Sequence, residues 1–192
     1  QLLYARYQHC SGNLDKGFTI IPCELINKNA DALKKCVIQL IELWNLGDDF
    51  RQWVEKANTF HNTLVDRIVP GYPKENAGEL QTRIGYNDKL MVAAEVFHLW
   101  VIEGDDNLNK KLPFRESGLN VKIVEDITPY RDRKVKILNG SHTAMVPVSY
   151  LYGNRTVQET VENPFTKKFV EDVVFNEILP SVKLSEAEKK GF

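Results

Sequence analysis

Residues 17–44, GFTIIPCELINKNADALKKCVIQLIELW, hold the pattern that decides the fold. The run FTIIP after Gly17 is short, apolar and β-branched, which is typical of a buried strand in an α/β sheet, and Pro22 ends it. Apolar side chains then recur at i, i+3 and i+4 spacing, which predicts a helix that Asn29 or Asp31 caps. These side chains are Leu33, Cys36, Val37, Leu40, Ile41 and Trp44. A strand followed by an amphipathic helix predicts an α/β fold.

A helix and a second strand follow this unit. DDFRQWVEK, at 48–56, predicts a short helix that packs Phe50, Trp53 and Val54 inward. TLVDRIVP, at 63–70, predicts a strand that ends at a proline turn. The order strand, helix, helix, strand indicates part of a doubly wound sheet.

Two more strand candidates complete the first part of the chain. Residues 74–89 are polar and predict a surface excursion with one weak helical turn. MVAAEVFHLWVIE at 91–103 is a long apolar run and NVKIV at 120–124 alternates, so we expect strands there. GDDNLNKKLPF, at 104–114, is interpreted as the loop between them.

The pattern becomes helical from Thr128 onward. Pro129 suits a first helical turn, and apolar positions stay dense until Gly153. Residues 157–161 and 165–179 are also predicted to be helical. The predicted fold class is therefore α/β followed by all-α, with domains at 1–125 and 126–192.

Composition limits the classes of partner. The chain has 25 basic and 26 acidic residues and a formal charge of −1, so it has no charge excess to attract phosphate backbones or anionic lipid. No apolar stretch approaches the roughly 20 residues of a spanning helix, and no charged-then-apolar leader opens the chain. We therefore expect a cytoplasmic protein without nucleic-acid or membrane partners.

The cysteines and histidines show no ligand spacing. Cys10, Cys23 and Cys36 are odd in number and lack a C-x-x-C pair, and the four histidines form no metal motif. We expect reduced thiols and no metal.

The segment KVKILNGSH groups an amine, an amide and an imidazole, from Lys134, Asn139 and His142. Such groups can hold an alcohol or ketone oxygen and move a proton to or from it, as a dehydrogenase requires. On an ideal α-helix they lie at about 0°, 140° and 80° and span roughly 12 Å of axis, so they line a wall. They would reach one oxygen only if the helix were irregular, for which Gly140 and Pro147 offer places. A solvated polar face without a catalytic role explains the same pattern.

Positive charge surrounds the lysine of this segment. Arg131, Arg133 and Lys136 lie within a few residues of Lys134. Neighbouring cations favour the uncharged amine that a proton acceptor must present. The cluster therefore favours an uncharged amine at Lys134, whereas the pattern of the three residues by itself favours a solvated polar face.

Several stretches resemble one family. VDRIVP with upstream Phe60 and Thr63, together with the K-x-x-x-x-N-x-x-H spacing, resembles the polyol-specific long-chain dehydrogenases of the mannitol dehydrogenase family. More narrowly, IPCELI, NTLVDRIVPGYP, HLWVIEG, LPFRESGLNV and PYRDRKVKILNGSHTAMVPV resemble the branch of that family that interconverts altronate and tagaturonate. The likeness runs over almost the whole chain.

The resemblance implies an architecture and a set of roles. Residues 1–125 would be the C-terminal part of a Rossmann-like domain, and 126–192 the first part of a mainly helical substrate-binding domain. Lys134 would be the general acid/base, with Asn139 and His142 holding the reacting oxygen. The cofactor would be NAD.

Two further residues belong to the family signature. The resemblance implies that Asp66 lies near the nicotinamide and the substrate. Without the family, Asp66 could equally pair with Arg67 or cap a turn. Asn62 is a weaker substrate-binding candidate.

The chain departs from the family pattern in three places. Polyol-acting members read C-D-N where this chain has Cys23–Leu25, so an asparagine that helps to hold the oxygen is absent and Asn139 must carry more of that task. Asn58 occupies a position that prefers an apolar residue. Arg131 replaces a glutamate three residues before the lysine.

The glutamate-to-arginine change has a chemical interpretation. A hexuronate presents a carboxylate, which a planar guanidinium can bind through two hydrogen bonds. We hypothesise that Arg131 or Arg133 recognises this anion.

The resemblance thus implies an oxidoreductase that interconverts D-altronate and D-tagaturonate with NAD(H). Its substrate would be a small sugar acid. Alternatives are fructuronate reductase or another polyol dehydrogenase of the family and, in another class, a non-catalytic substrate-domain module. No G-x-G-x-x-G phosphate loop occurs, and Gln1 opens a helix-like stretch without Met or a capping residue. We expect part of a longer enzyme, inactive alone, whose partner is the remainder of that enzyme.

Overall fold

The computed structural model describes residues 1–183, and its contacts divide the chain into two compact units, Gln1–Glu125 and Asp126–Phe192. The first unit contains α1 (Leu2–His9), β1 (Thr19–Ile20), α2 (Asn29–Leu43), α3 (Asp48–Ala57), β2 (Thr59–Phe60), β3 (Thr63–Asp66), α4 (Ala77–Ile84), β4 (Leu99–Glu103), α5 (Asp106–Lys111) and β5 (Val121–Val124). The second contains α6 (Thr128–Asp132), α7 (Gly140–Tyr152), α8 (Val157–Glu162), α9 (Pro164–Val173) and α10 (Leu179–Ser181). The predicted class, α/β followed by all-α, is confirmed.

Two small sheets organise the first unit. In one sheet β1 pairs with β2 in parallel. In the other, β4 lies between β3, to which it is antiparallel, and β5, to which it is parallel. Pairing of Asp66 with Leu99 and of Trp100 with Val121 sets the register. The ends of β1 and β3 are thereby positioned by strands from distant parts of the sequence.

Two predicted strands are shorter than their apolar runs. The strand predicted at 63–70 ends at Asp66, because the N–H of Ile68 donates to the Glu95 side chain (2.7 Å) rather than to a strand. The strand predicted at 91–103 begins only at Leu99, and Val96 before it is 94% exposed. Apolar composition alone therefore overestimated both strands.

The predicted loop at 104–114 contains a helix. One carboxylate oxygen of Asp105 accepts the N–H groups of Asn107 (3.0 Å) and Leu108 (3.2 Å), which satisfies the first orphan donors of α5. Leu108 is buried, so the helix is also held by packing. The loop interpretation was wrong because the segment is short and mostly polar.

The predicted caps of α2 were also wrong. The N-cap residue is Lys28, in a left-handed conformation (φ 51°) and without a side-chain capping bond. The side-chain oxygen of Asn62 instead accepts the N–H groups of Ala30 (3.0 Å) and Asp31 (3.2 Å). A residue distant in sequence therefore caps this helix.

The largest core of the first unit lies between α2 and α3. Ile41, Phe50, Trp53 and Val54 are buried together, which confirms the inward face predicted for 48–56. Burying an apolar side chain of this size contributes about 1.5–3 kcal/mol. Tyr4 and Tyr7 of α1 pack their rings against Phe50.

Asn58 explains one departure from the family pattern. Its amide donates to the carbonyl oxygens of Trp53 (3.1 Å) and Val54 (3.3 Å), and its oxygen accepts the N–H of Phe18 (2.9 Å). The side chain thus ends α3 and ties it to the strand region. Close approach also requires Gly17, because a Cβ there would lie 1.8 Å from the Ala57 carbonyl oxygen.

The second unit is helical and contains two π-helical segments, Arg133–Asn139 between α6 and α7, and Val174–Ile178 between α9 and α10. Gly153, in a left-handed conformation, ends α7 where the sequence predicted. Through residue 183, no helix is both long and apolar enough to cross a membrane.

Candidate functional site

The first unit carries Asp66 in a groove of about 670 Å³. The groove lies where β1 and β3 end and where β4 and β5 begin. Its lining includes Cys23, Asp66, Arg67, Glu95, His98 and Trp100. Ligands of open α/β sheets bind outside the carboxyl ends of the strands, and here β1 and β3 present those ends, so the Cys23 and Asp66 side of the groove suits a ligand. We call this feature the Asp66 groove.

Glu95 fixes the segment that follows Asp66. The carbonyl oxygen of Glu95 accepts the Arg67 Nε–H at 3.0 Å, and its carboxylate accepts the N–H of Ile68. The sequence offered Arg67 as one partner for Asp66; the Arg67 guanidinium donates to the Glu95 carbonyl oxygen.

His98 and Trp100 both line the Asp66 groove. The N–H of Asn120 donates to His98 Nε2 (3.0 Å), so the imidazole is neutral with its hydrogen on Nδ1, which lies 3.3 Å from the Val96 carbonyl oxygen. Trp100 packs against Phe114 with ring centroids 5.4 Å apart. His98 is therefore a structural element of the wall, with both nitrogens engaged.

Asn62 is buried, with 6% of its surface exposed. Besides capping α2, its amide donates to the carboxylates of Glu103 (2.8 Å) and Asp31 (3.3 Å). These contacts use both the donor and the acceptor groups of the side chain.

The second unit presents Lys134, Asn139 and His142 on an irregular helix. The irregularity that the sequence argument required is present, at Arg133–Asn139 rather than at Gly140 or Pro147. The N–H of Gly140 reaches the carbonyl oxygen of Val135, five residues back. This π register brings residue i+5 closer to the face of residue i, so Asn139 lies nearer to the face of Lys134 than the about 140° of an ideal α-helix.

His142 extends this face. It lies three residues beyond Asn139 in α7, a spacing at which helical side chains are neighbours. Its Nδ1 lies 2.9 Å from the Leu138 carbonyl oxygen, which can only accept, so Nδ1 carries a hydrogen and Nε2 is the ring nitrogen left for another partner. Lys134 is half-buried, whereas Asn139 and His142 are exposed. We call these three residues the lysine face.

An aspartate lies within the predicted cation cluster. The Asp132 carboxylate bonds Lys136 Nζ at 2.7 Å and lies 3.5 Å from the Arg131 guanidinium. Its negative charge offsets the cations that the sequence argument counted around Lys134. The sequence offered one signal for this, the i, i+4 spacing of Asp132 and Lys136.

The two arginines differ in their surroundings. Arg133 lies over the Tyr130 ring, 5.7 Å from its centroid. Arg131 has a side chain that is 33% exposed, beside Asp132.

Asn139 also borders a shallow groove of about 520 Å³ in the second unit. Gly140, Thr143, Glu177 and Ile178 line it as well, so the two π-helical segments face each other there. Within residues 1–183, no group of three His, Cys, Asp or Glu side chains is arranged to hold a metal ion.

Two family models match the chain. The Mannitol dehydrogenase Rossmann domain matches residues 1–116, and the Mannitol dehydrogenase C-terminal domain matches residues 126–191. The chain belongs to the mannitol dehydrogenase family. This family assignment confirms the resemblance drawn from the VDRIVP and K-x-x-x-x-N-x-x-H stretches.

Curated relatives within the mannitol dehydrogenase family are named altronate oxidoreductase. The protein from Bacillus subtilis (strain 168) is 50% identical over 182 residues, which cover 95% of this chain and 38% of the relative. The protein from Phocaeicola vulgatus is 45% identical over 192 residues, which cover 100% of this chain and 40% of the relative. The chain thus spans about two fifths of the length of these relatives.

Solved structures of polyol dehydrogenases share the fold. D-sorbitol dehydrogenase in substrate-free form superposes with a TM-score of 0.77 at 24% identity, over 98% of this chain and 38% of that one. Mannitol 2-dehydrogenase from Pseudomonas fluorescens, in a ternary complex with NAD and D-mannitol, gives 0.63 at 25% identity, over 90% and 35%. The Rossmann-like character of the first unit is thereby confirmed.

Proposed function

We propose that this chain supplies the proton-transfer and substrate-binding residues of an enzyme that interconverts D-altronate and D-tagaturonate with NAD(H). The observation that supports the proposal is the lysine face, where the π-helical segment carries the amine and the amide and α7 carries the imidazole. Relatives at 45–50% identity named altronate oxidoreductase support the choice of substrate.

Lys134 is proposed as the proton carrier. In the oxidation direction, its uncharged amine accepts the hydroxyl proton of altronate, and in the reduction direction the ammonium returns a proton to the carbonyl oxygen of tagaturonate. NAD, when bound, takes or supplies the hydride. Partial burial of Lys134 supports this role, because a half-buried side chain is held in one position more firmly than an exposed one.

Asn139 and His142 are proposed to hold the reacting oxygen. The Asn139 amide can donate a hydrogen bond to the oxygen as negative charge develops on it. His142 Nε2 is the ring nitrogen left for the substrate, since Nδ1 is committed to Leu138; when it carries a proton it can donate a second hydrogen bond to the same oxygen, which leaves the hydroxyl proton to Lys134. Lys134, which accepts the hydroxyl proton, and Asn139, which donates to the oxygen, together favour one orientation of the hydroxyl.

The Asp66 groove fits the nicotinamide end of the cofactor. It lies beyond the end of β1 and has largely apolar walls beside the carboxylates of Asp66 and Glu95, the kind of surface on which an aromatic ring and an amide can rest. We propose Asp66 as the residue that contacts nicotinamide and substrate. The sequence contains no G-x-G-x-x-G loop, so no residue here is assigned to the diphosphate.

Arg131 is proposed to recognise the substrate carboxylate. It is preferred to Arg133, whose guanidinium lies over the Tyr130 ring. Asn62 is proposed to act on the substrate indirectly, because the α2 backbone and Glu103 already engage its amide.

A substrate panel tests the proposal. Reduction of tagaturonate, fructuronate and fructose is measured with NADH and with NADPH, in the full-length protein that contains this sequence. Tagaturonate with NADH is expected to give the highest kcat/KM. A higher value for fructuronate or fructose would contradict the choice of substrate, and a higher value with NADPH would contradict NAD. No reduction of any of the three would contradict an enzymatic role and favour a non-catalytic module.

A further inference from the structure

We propose that Asn29 and Thr63 are positioning residues, which fix the backbone of residues 22–24 beside the Asp66 groove. This segment leaves β1 and carries Cys23 into the groove wall. Cys23–Leu25, which overlap this segment, take the place of the C-D-N sequence of polyol-acting members. The kinetic part of this inference rests on the proposed function.

Asn29 reaches the segment from the first turn of α2. Only 2% of its surface is exposed. Its amide nitrogen lies 3.1 Å from the carbonyl oxygens of Pro22 and Glu24 and 3.1 Å from the hydroxyl of Thr63. Its side-chain oxygen accepts the N–H of Thr63 at 2.9 Å. One side chain therefore ties the segment to the first residue of β3.

Thr63 completes the connection from the other side. Its hydroxyl donates to the Pro22 carbonyl oxygen at 2.5 Å, and 7% of its surface is exposed. The Pro22 carbonyl oxygen thus accepts from both Asn29 and Thr63. Since Asp66 is three residues further along β3, the same strand positions the carboxylate and the segment opposite it.

Burial contributes little to holding this segment. Cys23, Glu24, Leu25 and Ile26 all have exposed side chains. A segment without buried side chains depends on its polar contacts for a fixed position, and a buried donor or acceptor that loses its partner is costly. Asn29 and Thr63 supply those contacts from within the fold.

The test uses two variants at one position. Thr63→Val keeps the shape of the side chain but removes the hydroxyl, whereas Thr63→Ser keeps the hydroxyl. In the full-length protein, Thr63→Val is expected to lower kcat/KM for tagaturonate by about 10- to 100-fold, the scale on which a misplacement of about 1 Å acts. Thr63→Ser is expected to stay within about threefold of wild type. Thermal unfolding of both variants is measured in parallel.

Kinetics and stability separate a positioning role from a structural one. If Thr63→Val lowers the Tm but keeps wild-type kcat and KM while folded, the inference is overturned. Equal losses of kcat/KM in both variants would also overturn it, because serine retains the bond to Pro22.

A second readout keeps the inference independent of the substrate. If the wild-type protein reduces no tagaturonate, the proposed function fails, and amide hydrogen exchange over residues 23–28 then decides. Faster exchange in Thr63→Val than in Thr63→Ser and wild type supports positioning, and unchanged exchange contradicts it.

Discussion

Arg131 is the residue that should distinguish a sugar acid from a neutral sugar in binding. It stands where polyol-acting members carry a glutamate, and its guanidinium is partly exposed beside Asp132. A permanently charged, planar group can bind a carboxylate through two hydrogen bonds. Asp132 limits the local positive charge, so recognition would depend on the geometry of the guanidinium rather than on its charge alone.

Replacement of Arg131 by methionine tests this role. Arg131→Met should raise KM for tagaturonate at least about tenfold, because a charge-assisted hydrogen bond contributes roughly 1.5–3 kcal/mol. KM for fructose should change little. Arg131→Lys keeps the charge but not the planar guanidinium, so its KM for tagaturonate should lie between those of the wild type and Arg131→Met. Equal increases for the acid and the neutral ketose would show that Arg131 does not recognise the carboxylate.

Asp105 gives a pH-dependent contribution to stability. The N–H of Leu108 donates to its carboxylate, which lowers the pKa of Asp105 below its usual value. A depressed pKa means that the stabilisation is fully present above the unfolded-state value of about 3.9 and is lost as pH falls through the folded-state value.

Two variants at this position isolate the effect. Asp105→Ala should lower the Tm at pH 7, and the difference from wild type should shrink below about pH 4, as the wild-type carboxylate is protonated. Asp105→Asn keeps a capping oxygen that does not titrate, so its Tm should fall less steeply than wild type between pH 4 and 2. A difference between Asp105→Ala and wild type that stays constant with pH would contradict the capping role.

At the scale of elements, the π-helical segment Arg133–Asn139 sets the helical register of the proposed catalytic residues. Lys134 and Asn139 are five residues apart. An α-helix puts residues at this spacing about 140° apart, whereas the π-helical register brings them closer to one face. The sequence shows the residues but not the register, because one wider turn does not change the overall apolar periodicity.

A deletion and an insertion test this register. Deleting Lys136 allows α-helical bonds and leaves Lys134 and Asn139 four residues apart, still neighbours, so kcat should fall by less than about tenfold. Inserting one alanine after Lys136 puts them six residues apart, on opposite sides, and kcat should fall by more than about 100-fold. Far-UV circular dichroism checks that both variants keep their helices. Equal kcat in the two variants would contradict the role of the register.

Other elements were predictable to different degrees. α2 and α3 were predicted because their apolar residues repeat at helical spacing. α5 was missed because one capping aspartate and one buried leucine stabilise it. The end of β3 and the start of β4 were misplaced because the apolar side chains beyond them, such as Ile68 and Val96, are exposed rather than buried. A strand ends where its hydrogen-bond partners end, and the apolar run does not show that point.

At the scale of the whole molecule, the family was recognisable because its motifs are local stretches of sequence. Contacts such as Asn29 with Thr63, 34 residues apart, were not, since a buried amide leaves no periodic trace in the sequence. The candidate residues of the lysine face were therefore predictable, whereas the residues that hold the Asp66 groove in place emerged only from the fold.

Titration of the isolated chain with NADH tests whether this part of the full-length protein can bind the cofactor by itself. No G-x-G-x-x-G loop occurs in these 192 residues, so we expect no micromolar binding by calorimetry. The full-length protein serves as the positive control. Micromolar binding to the isolated chain would show that its own residues hold the cofactor phosphates.

The turnover of tagaturonate by a Lys134→Ala variant of the full-length protein tests the central claim most directly. Loss of a general acid/base should lower kcat by about 10²- to 10⁴-fold. Lys136→Ala is the matched control, because Lys136 is exposed and pairs with Asp132, and it should keep kcat within about threefold. A folded Lys134→Ala variant with wild-type kcat, or equal losses in both variants, would contradict Lys134 as the proton carrier.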